Sequence, residues 1–273
     1  MFSEELIFDA FPYRRQTVFV DVGANIGSFS AIFAKRGRRV VAFEPHPRLF
    51  ADLVRRFSGD QQVVCVQKAI SDKPGRLPFY TSEQHPGIHS LAPFDPTHEP
   101  TEIAEVSTLS EELVALDVSE VTALKIDVEG ADFLALRGFD WQHIKPELVM
   151  VEFMDARSTE HFDYTHHDMA MFMQTHGYET WVSEWAALTE YRKAGDDTPH
   201  RWMGFHAYSP SASPAHGNLL FVQPADSSKL RRTVRSVSRR AATRDFIRSI
   251  PGARRAARLS RAIYPARFAR SHK

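Results

Sequence analysis

The residues best suited to chemistry in this sequence form a glycine-containing turn that begins with an acidic residue, Asp21-Val22-Gly23-Ala24-Asn25-Ile26-Gly27. Glycine lets the backbone bend sharply and approach a ligand closely, and the helix predicted to follow offers unpaired N–H groups. The turn lacks the dinucleotide pattern Gly-x-Gly-x-x-Gly, because Asn25 and Ser28 occupy its second and third glycine positions. An acid at Asp21 would repel a pyrophosphate but can pair with the ammonium of an amino-acid moiety. A purely structural strand-to-helix turn is the alternative interpretation.

A second acidic residue, Glu44, ends the next predicted strand and precedes Pro45. In a doubly wound sheet the carboxyl ends of neighbouring strands line one crevice, so we expect Glu44 beside the glycine turn. A carboxylate there can accept hydrogen bonds from both hydroxyls of a ribose. A solvated glutamate at a strand end is the alternative.

Three further acids are candidates for a general base. Asp127 and Glu129 follow a predicted strand that contains Lys125, and Glu152 lies in the strand after it. A positioned general base contributes a factor of about 10²–10⁴ to a rate, and Lys125 can tune these acids if it lies close. Two alternatives stay open: Glu129 as an acid at a helix N-terminus, favoured by the helix dipole, and Lys125 as a side chain that points into solvent.

The elements that must position these residues alternate between short apolar strands and helical patterns. Such an order predicts an α/β fold, a mostly parallel doubly wound sheet of seven strands with helices on both faces. We predict irregular structure for residues 73–101, with a hairpin around Leu77–Tyr80, and for residues 195–217. The predicted strands cover residues 17–22, 39–43, 63–66, 123–128, 148–153, 178–182 and 219–222.

Five motifs in this order resemble the FkbM-type methyltransferase family over roughly residues 15–222. They are the glycine turn already quoted, Phe43-Glu44-Pro45, Lys68-Ala69-Ile70-Ser71-Asp72, Lys125-Ile126-Asp127-Val128-Glu129-Gly130 and Pro146-Glu147-Leu148-Val149-Met150-Val151-Glu152. The resemblance implies a Rossmann-like class I methyltransferase fold and S-adenosylmethionine as methyl donor. It also implies transfer to a hydroxyl of a sugar, a polysaccharide, or a polyketide or other secondary metabolite.

The resemblance also implies roles for individual residues. The methionine part of the cofactor would lie against the turn, the ribose against Glu44, the adenine between Ala69 and Ile70, and the transferring methyl near Asp127. The cofactor-binding set is therefore Asp21, Gly23, Asn25, Gly27, Glu44, Ala69 and Ile70, and the catalytic set is Asp127, Glu129, Glu152 and Lys125.

Two other functions fit the sequence less well. A nicotinamide-dependent oxidoreductase is disfavoured by the missing glycine pattern, and a non-catalytic cofactor-binding module by the retained acids. The 13 histidines lack the His-Glu-x-x-His spacing of a zinc site, so we predict no metal. His85 and His89 lie in the proline-rich segment. One interpretation is that they contact the acceptor, and the alternative is that they are solvated or hydrogen-bonded within the protein.

Charge divides the chain into two parts. Residues 229–273 carry 15 Lys and Arg and one acid, a net charge of +14, and the other 228 residues carry a net charge of −14. We predict a methyltransferase domain at 1–223 and a basic tail at 224–273. Basic amphipathic segments suit an anionic membrane surface, with a solubilising or self-docking tail as the alternative. Nucleic-acid binding is unlikely on this pattern, because aromatic residues are sparse among the arginines.

The remaining composition bears on the cellular compartment. The chain is 43% hydrophobic and 25% charged, which is typical of a globular protein, and it has one cysteine, Cys65. No disulfide can form within it, which favours a reducing compartment. The acidic start Met1-Phe2-Ser3-Glu4-Glu5 does not resemble a secretory signal. We therefore predict a cytoplasmic protein, with attachment at the inner membrane face through residues 229–273.

Overall fold

A computed structural model describes residues 3–85, 87–186 and 201–249 of the chain. The strands are β1 (Val18–Val22), β2 (Arg39–Phe43), β3 (Val63–Val66), β4 (Ala69–Ile70), β5 (Gly75–Thr81), β6 (Glu99–Ser107), β7 (Val121–Ile126), β8 (Leu148–Phe153), β9 (Glu179–Trp185), β10 (Trp202–Ala207) and β11 (His216–Val222). The helices are α1 (Glu4–Ala10), α2 (Ser28–Ala34), α3 (Pro47–Arg56), α4 (Leu109–Ala115), α5 (Asp132–Arg137), α6 (Asp155–Phe162), α7 (His166–Thr175) and α8 (Ser227–Ser249).

The main sheet has eight strands in the order β10-β9-β11-β8-β7-β1-β2-β3. The strands from β8 to β3 are all parallel, and β11 pairs antiparallel with both β8 and β9. The predicted α/β architecture is confirmed, but the number of strands is not seven. The extra strand, β10, lies within the segment 195–217 that was predicted to be irregular. It is half-buried at the sheet edge, contains Gly204 and has no β-branched residue, so its strand signal is weak.

A second, three-stranded sheet has the order β4-β6-β5 and occupies much of the proline-rich segment. β5 contains Leu77–Tyr80 and pairs antiparallel with β6, which confirms the predicted hairpin and extends it to Ser107. Pro78 and Pro100 obscured these strands because proline is depleted in sheets and cannot donate to the ladder. The connection between β5 and β6 crosses to the main sheet, where the Ser90 hydroxyl donates to the Glu129 carbonyl at 2.8 Å.

The core lies on both faces of the main sheet. Successive side chains of a strand point to opposite faces, so Val20 of β1 joins one apolar cluster, whereas Phe19 joins the other and stacks on Phe33 of α2 at 4.0 Å. All five residues of β1 are buried, as expected for a central parallel strand.

The helix α8 packs on this core. Its buried side chains, Leu230, Val234, Val237 and Ala241, recur every three or four residues and lie in the same apolar cluster as α1. These side chains form one apolar face, and the described start of the basic segment docks on the body. At its N-terminus, buried Asp226 accepts two hydrogen bonds from Arg14, at 3.0 and 2.8 Å. The domain boundary at residue 223 stays a prediction, and residues 250–273 lie outside the described part.

Among the residues that the structure describes, no helix has the length and apolar character needed to cross a bilayer.

Leu230→Ala should lower the free energy of unfolding by about 2–5 kcal/mol, because it removes a fully buried side chain and leaves a cavity between α8 and the sheet. Urea unfolding measures this as a lower midpoint. Val114→Ala is the control: Val114 is 81% exposed on α4, so its effect should be below about 0.5 kcal/mol. Equal midpoints for the two variants would show that α8 adds nothing to the core.

Candidate functional site

A cavity of about 340 Å³ opens at the carboxyl ends of β1, β2 and β7. This position is the crevice in which open α/β sheets bind ligands. Its wall combines predicted residues with residues of β5 and of the β5–β6 connection that the sequence did not indicate. The predicted residues on the wall are Asp21, Gly23, Asn25, Glu44, Ala69, Ile70, Lys125, Asp127 and Glu129, and the added ones include Phe79, Gly87 and Leu91. Gly27 and Glu152 are not among the lining residues.

The glycine turn brings the ends of β1 and β7 into close contact. Gly23 has φ = 73°, and a Cβ there would overlap the Asp127 carbonyl oxygen. Glycine is therefore required both by the backbone angle and by the space. Gly27 has φ = 78°, but a Cβ there would meet Leu53 at 2.7 Å and the Phe57 ring. Gly27 thus permits helix packing against α3 and does not face the cavity.

Asp21 is fully buried at the end of β1. One carboxylate oxygen accepts hydrogen bonds from the Ser30 N–H at 3.1 Å and the Ser30 hydroxyl at 2.7 Å. The other oxygen, Oδ1, has no hydrogen-bond partner within the described residues and lies 3.5 Å from the Lys125 ammonium. Because Asp21 also lines the cavity, this oxygen is available to a cationic group of a ligand.

Glu44 lies beside the turn, as its position after β2 predicted. Its Oε2 accepts from the Asn25 N–H at 2.8 Å and its Oε1 from the His46 N–H at 2.9 Å. Burial raises the pKa of Glu44 to about 7, against the opposing effect of these two N–H groups. The alternative of a solvated strand-end glutamate is wrong.

Lys125 connects the carboxyl ends of β1 and β7 at the cavity wall. Its ammonium donates to the Gly23 carbonyl at 2.7 Å and lies 3.4 Å from Asp127 Oδ2 and 3.5 Å from Asp21 Oδ1. Burial alone would lower the pKa of Lys125, but the charges of Asp127 and Asp21 outweigh it and raise the pKa above its ordinary value. Lys125 is therefore a buried cation, and the alternative that it points into solvent is wrong.

Carboxylate oxygens of Asp127, Glu129 and Glu152 lie within 4.8 Å of one another. The Arg157 guanidinium of α6 contacts Glu129, lies 3.7 Å from Glu152 and sits 3.9 Å from the Phe94 ring centroid. Burial raises the pKa of Glu129 and of Glu152, reinforced by the charge of Glu152 on the former and of Asp127 on the latter. Arg157 and Lys125 balance much of this negative charge; the prediction that no metal binds stays a prediction.

The alternative role for Glu129 as a helix N-terminal acid is wrong, because the residue lies outside α5 with φ = 59°. Asp132 has that role: its carboxylate accepts from the N–H groups of Val128 and Gly130, both at 2.9 Å. Burial raises the pKa of Asp132 to about 6.

The second sheet adds His89 to the cavity wall. His89 stacks on His46 with a centroid distance of 4.2 Å, and its Nδ1 accepts from the Ser82 N–H at 3.3 Å. Burial and the nearby His46 lower the pKa of His89 to about 4, so the ring is neutral at neutral pH. His85 is not among the lining residues. The segment was a predicted site for acceptor contacts, and the structure brings His89 to the cavity.

Residues 21–180 match the model of the methyltransferase FkbM domain. The chain belongs to this family. It is 30% identical over 176 residues to "Methyltransferase 1" of Beauveria bassiana strain ARSEF 2860, which covers 55% of this chain and 70% of that protein. The crystal structure of an FkbM methyltransferase from Methylobacillus flagellatus KT is 18% identical, covers 78% of this chain and 47% of its own, and has a TM-score of 0.47. This chain therefore spans about half the length of that structure.

A TehB-like SAM-dependent methyltransferase from Corynebacterium glutamicum is 11% identical, with 81% of this chain and 86% of that chain covered and a TM-score of 0.41. Family membership confirms the expected identity: the chain is a methyltransferase with a Rossmann-like class I sheet, and its cofactor is S-adenosylmethionine. The nicotinamide-dependent oxidoreductase alternative is set aside on the same ground.

In this FkbM methyltransferase, Gly23→Ala should reduce affinity for S-adenosylhomocysteine at least tenfold, because the methyl group forces the turn away from the Asp127 carbonyl. Calorimetric titration measures the change. Gly37→Ala is a matched control, since Gly37 also has a positive φ, 65°, but open space around it. It should cost about 1 kcal/mol of stability and leave the affinity unchanged; equal losses in both variants would refute the steric argument.

Proposed function

We propose that this methyltransferase acts on oxygen, at a hydroxyl group of a sugar or polysaccharide or of a secondary metabolite. The observation that carries the proposal is a carboxylate on the cavity wall, Asp127, held by a buried ammonium and backed by two further carboxyls. A hydroxyl acceptor must lose its proton during transfer, and this site provides a group that can take it. The FkbM resemblance supports the class of acceptor.

The cavity residues fit the cofactor. Asp21 Oδ1 is a buried acceptor without a hydrogen-bond donor among the described residues, and it faces the cavity where an amino-acid ammonium could pair with it. Gly23 and Asn25 would border the methionine part, and Glu44 would accept from the ribose, because a carboxylate with two N–H donors retains free lone pairs. Ala69 and Ile70 would lie against the adenine.

S-adenosylmethionine, when bound, supplies a methyl group on a positively charged sulfur. The chain must align the acceptor oxygen with that methyl, which provides most of the rate, and must remove the hydroxyl proton. Asp127 suits the second task best because its side chain is 34% exposed, against 19% for Glu129 and 17% for Glu152. Asp127 would take the proton of the acceptor hydroxyl as its oxygen receives the methyl group that the cofactor would supply, with the bonding electrons left on the sulfur.

Glu129 and Glu152 have a different part in this proposal. Arg157 holds both of them, and only Glu129 reaches the cavity wall. We assign them to hold Arg157 in place. Lys125, through its contacts with Asp127 and the Gly23 carbonyl, is a positioning residue.

Methylation of a hydroxyl oxygen is tested by incubating the protein with S-adenosylmethionine carrying a radiolabelled methyl group and with separate glycan, lipid and small-molecule fractions. Label in an alkali-stable methyl ether supports the proposal. Label in an alkali-labile methyl ester, or on nitrogen or carbon by mass spectrometry, contradicts it. A cytoplasmic location belongs to the same proposal and is supported by the single unpaired cysteine, Cys65.

Asp127→Asn should lower methyl transfer by about 10²–10⁴-fold, because the amide keeps the shape of the side chain but cannot accept the proton. Affinity for S-adenosylhomocysteine should change less than about threefold. Transfer is measured with the fraction that the unaltered protein labels. Asp117→Asn is the control, an exposed residue with φ = 52°, which asparagine tolerates. Unchanged turnover in Asp127→Asn would remove Asp127 from the mechanism.

Affinity for S-adenosylhomocysteine should fall as the pH drops through about 7, the pKa of Glu44. The ionised carboxylate accepts from the ribose; protonation removes its charge and blocks part of its acceptor capacity. At about one pH unit below that pKa roughly a tenth of the protein is ionised, so affinity should fall about tenfold. Glu44→Gln should bind weakly without this dependence. If both proteins show the same pH profile, Glu44 does not contact the ribose.

A further inference from the structure

The outward face of α8 carries a row of arginines. Arg231, Arg232, Arg235, Arg239 and Arg240 are all exposed, opposite the apolar face that packs on the core. Among the side chains that the structure describes, which on α8 end at Ala242, no acidic one forms an ion pair with Arg231, Arg232, Arg235 or Arg240. Arginines four residues apart on a helix repel each other. The repulsion within this row therefore opposes formation of the helix.

Aromatic side chains lie along one side of this row. Trp181 of β9 and Phe205 of β10 stack with a centroid distance of 5.4 Å, and both line a shallow groove with Arg231 and Arg235. The Arg231 guanidinium lies 5.7 Å from the Trp181 ring centroid. Along the other side, Arg36, Lys229, Arg232 and Arg240 line a second groove, in which Arg36 is paired with Asp9.

α8 runs from the end of the sheet opposite the cofactor cavity back toward the end that carries the cavity. β11 runs antiparallel to β8, so it ends at the edge of the sheet opposite the cavity, where Asp226 is bonded to Arg14. From there α8 returns along the sheet for 23 residues, about 34 Å, whereas a six-residue strand spans about 20 Å. The helix is therefore long enough to span the sheet from one end of its strands to the other. The sequence beyond it, 250–273, has seven Lys and Arg and no acid.

We propose that the exposed face of α8 docks the methyltransferase on an anionic phospholipid surface. Lys and Arg side chains near such a surface are attracted by its negative potential, and Trp beside them is typical of the headgroup depth. This interaction is additional to methyl transfer and holds whether or not the acceptor is a lipid.

Two observations favour a membrane over a nucleic acid as the partner. The Trp181 ring already has Phe205 stacked on it and Arg231 beside it, so it is not an open platform for a base. The chain outside residues 229–273 carries a net charge of −14. A polyanion that bends around the protein would be repelled by that body, whereas a flat surface meets only the basic face.

The test uses the full chain and two sets of vesicles, one of phosphatidylcholine and one of equal parts phosphatidylcholine and phosphatidylglycerol. We expect co-sedimentation with the anionic vesicles only, weakened by added salt. Equal binding to both sets, or no binding to either at low salt, overturns the proposal. So does tighter binding to a random-sequence DNA duplex than to vesicles at the same phosphate concentration, which would indicate a nucleic-acid partner.

A double variant and a matched control locate the surface. Arg231→Gln with Arg235→Gln should weaken binding to the anionic vesicles by roughly fivefold for each arginine, about 25-fold together. Lys73→Gln with Arg76→Gln removes the same charge from exposed positions at the start of β5 and should change binding less than about threefold. Both variants should keep the affinity for S-adenosylhomocysteine. A double variant on α8 that binds like the unaltered protein overturns the proposal, and methyl-transfer activity plays no part in this readout.

Discussion

The whole site depends on one buried cation, the Lys125 ammonium, held between two strand ends. In the parallel pairing of β1 and β7, Lys125 lies opposite Asp21, so both side chains point to the same face of the sheet. A buried charge is tolerated only when opposite charges and hydrogen bonds surround it. Asp21, Asp127 and the Gly23 carbonyl supply them. The same contacts hold the turn at Gly23 and the Asp127 side chain in place. Lys125 therefore supports both the part of the cavity that would hold the cofactor and the part that would face the acceptor.

The carboxyl groups around Lys125 outnumber the cationic side chains that neutralise them. Glu44, Glu129 and Glu152 all have pKa values raised by burial, which means that the fold opposes their ionisation. A structure optimised only for stability would replace such groups with apolar ones. An excess of carboxylates beside a cavity does suit a cationic ligand, and S-adenosylmethionine carries positive charge on both its sulfur and its ammonium. A bound S-adenosylmethionine would therefore offset part of this negative charge.

Sequence patterns predicted the parts of this site that follow central strands and missed the parts that come from elsewhere. β1, β2, β7 and β8 are apolar and buried, so Asp21, Glu44 and Asp127 could be placed at one sheet edge from strand order alone. Arg157 could not, because it comes from α6 and meets Glu129 only through tertiary packing. Phe79 and Leu91 were hidden in a segment whose prolines suppress the strand signal. Gly27 was predicted to bind the cofactor because it belongs to the glycine turn. In the structure it lies against Leu53 of α3, a tertiary contact that the local sequence pattern does not reveal.

α8, the described part of the basic region, packs against the rest of the chain, which carries the opposite net charge. Leu230, Val234 and Val237 lie in the same apolar cluster as α1 and the central strands, and Asp226 ties the start of α8 to the residues before β1. Because the apolar side chains fix the rotation of α8 about its own axis, they also fix which way its arginines point. The cationic face therefore has a constant orientation relative to the cofactor cavity. Any surface bound by that face would meet the cavity at a set angle, which a flexible basic tail could not achieve.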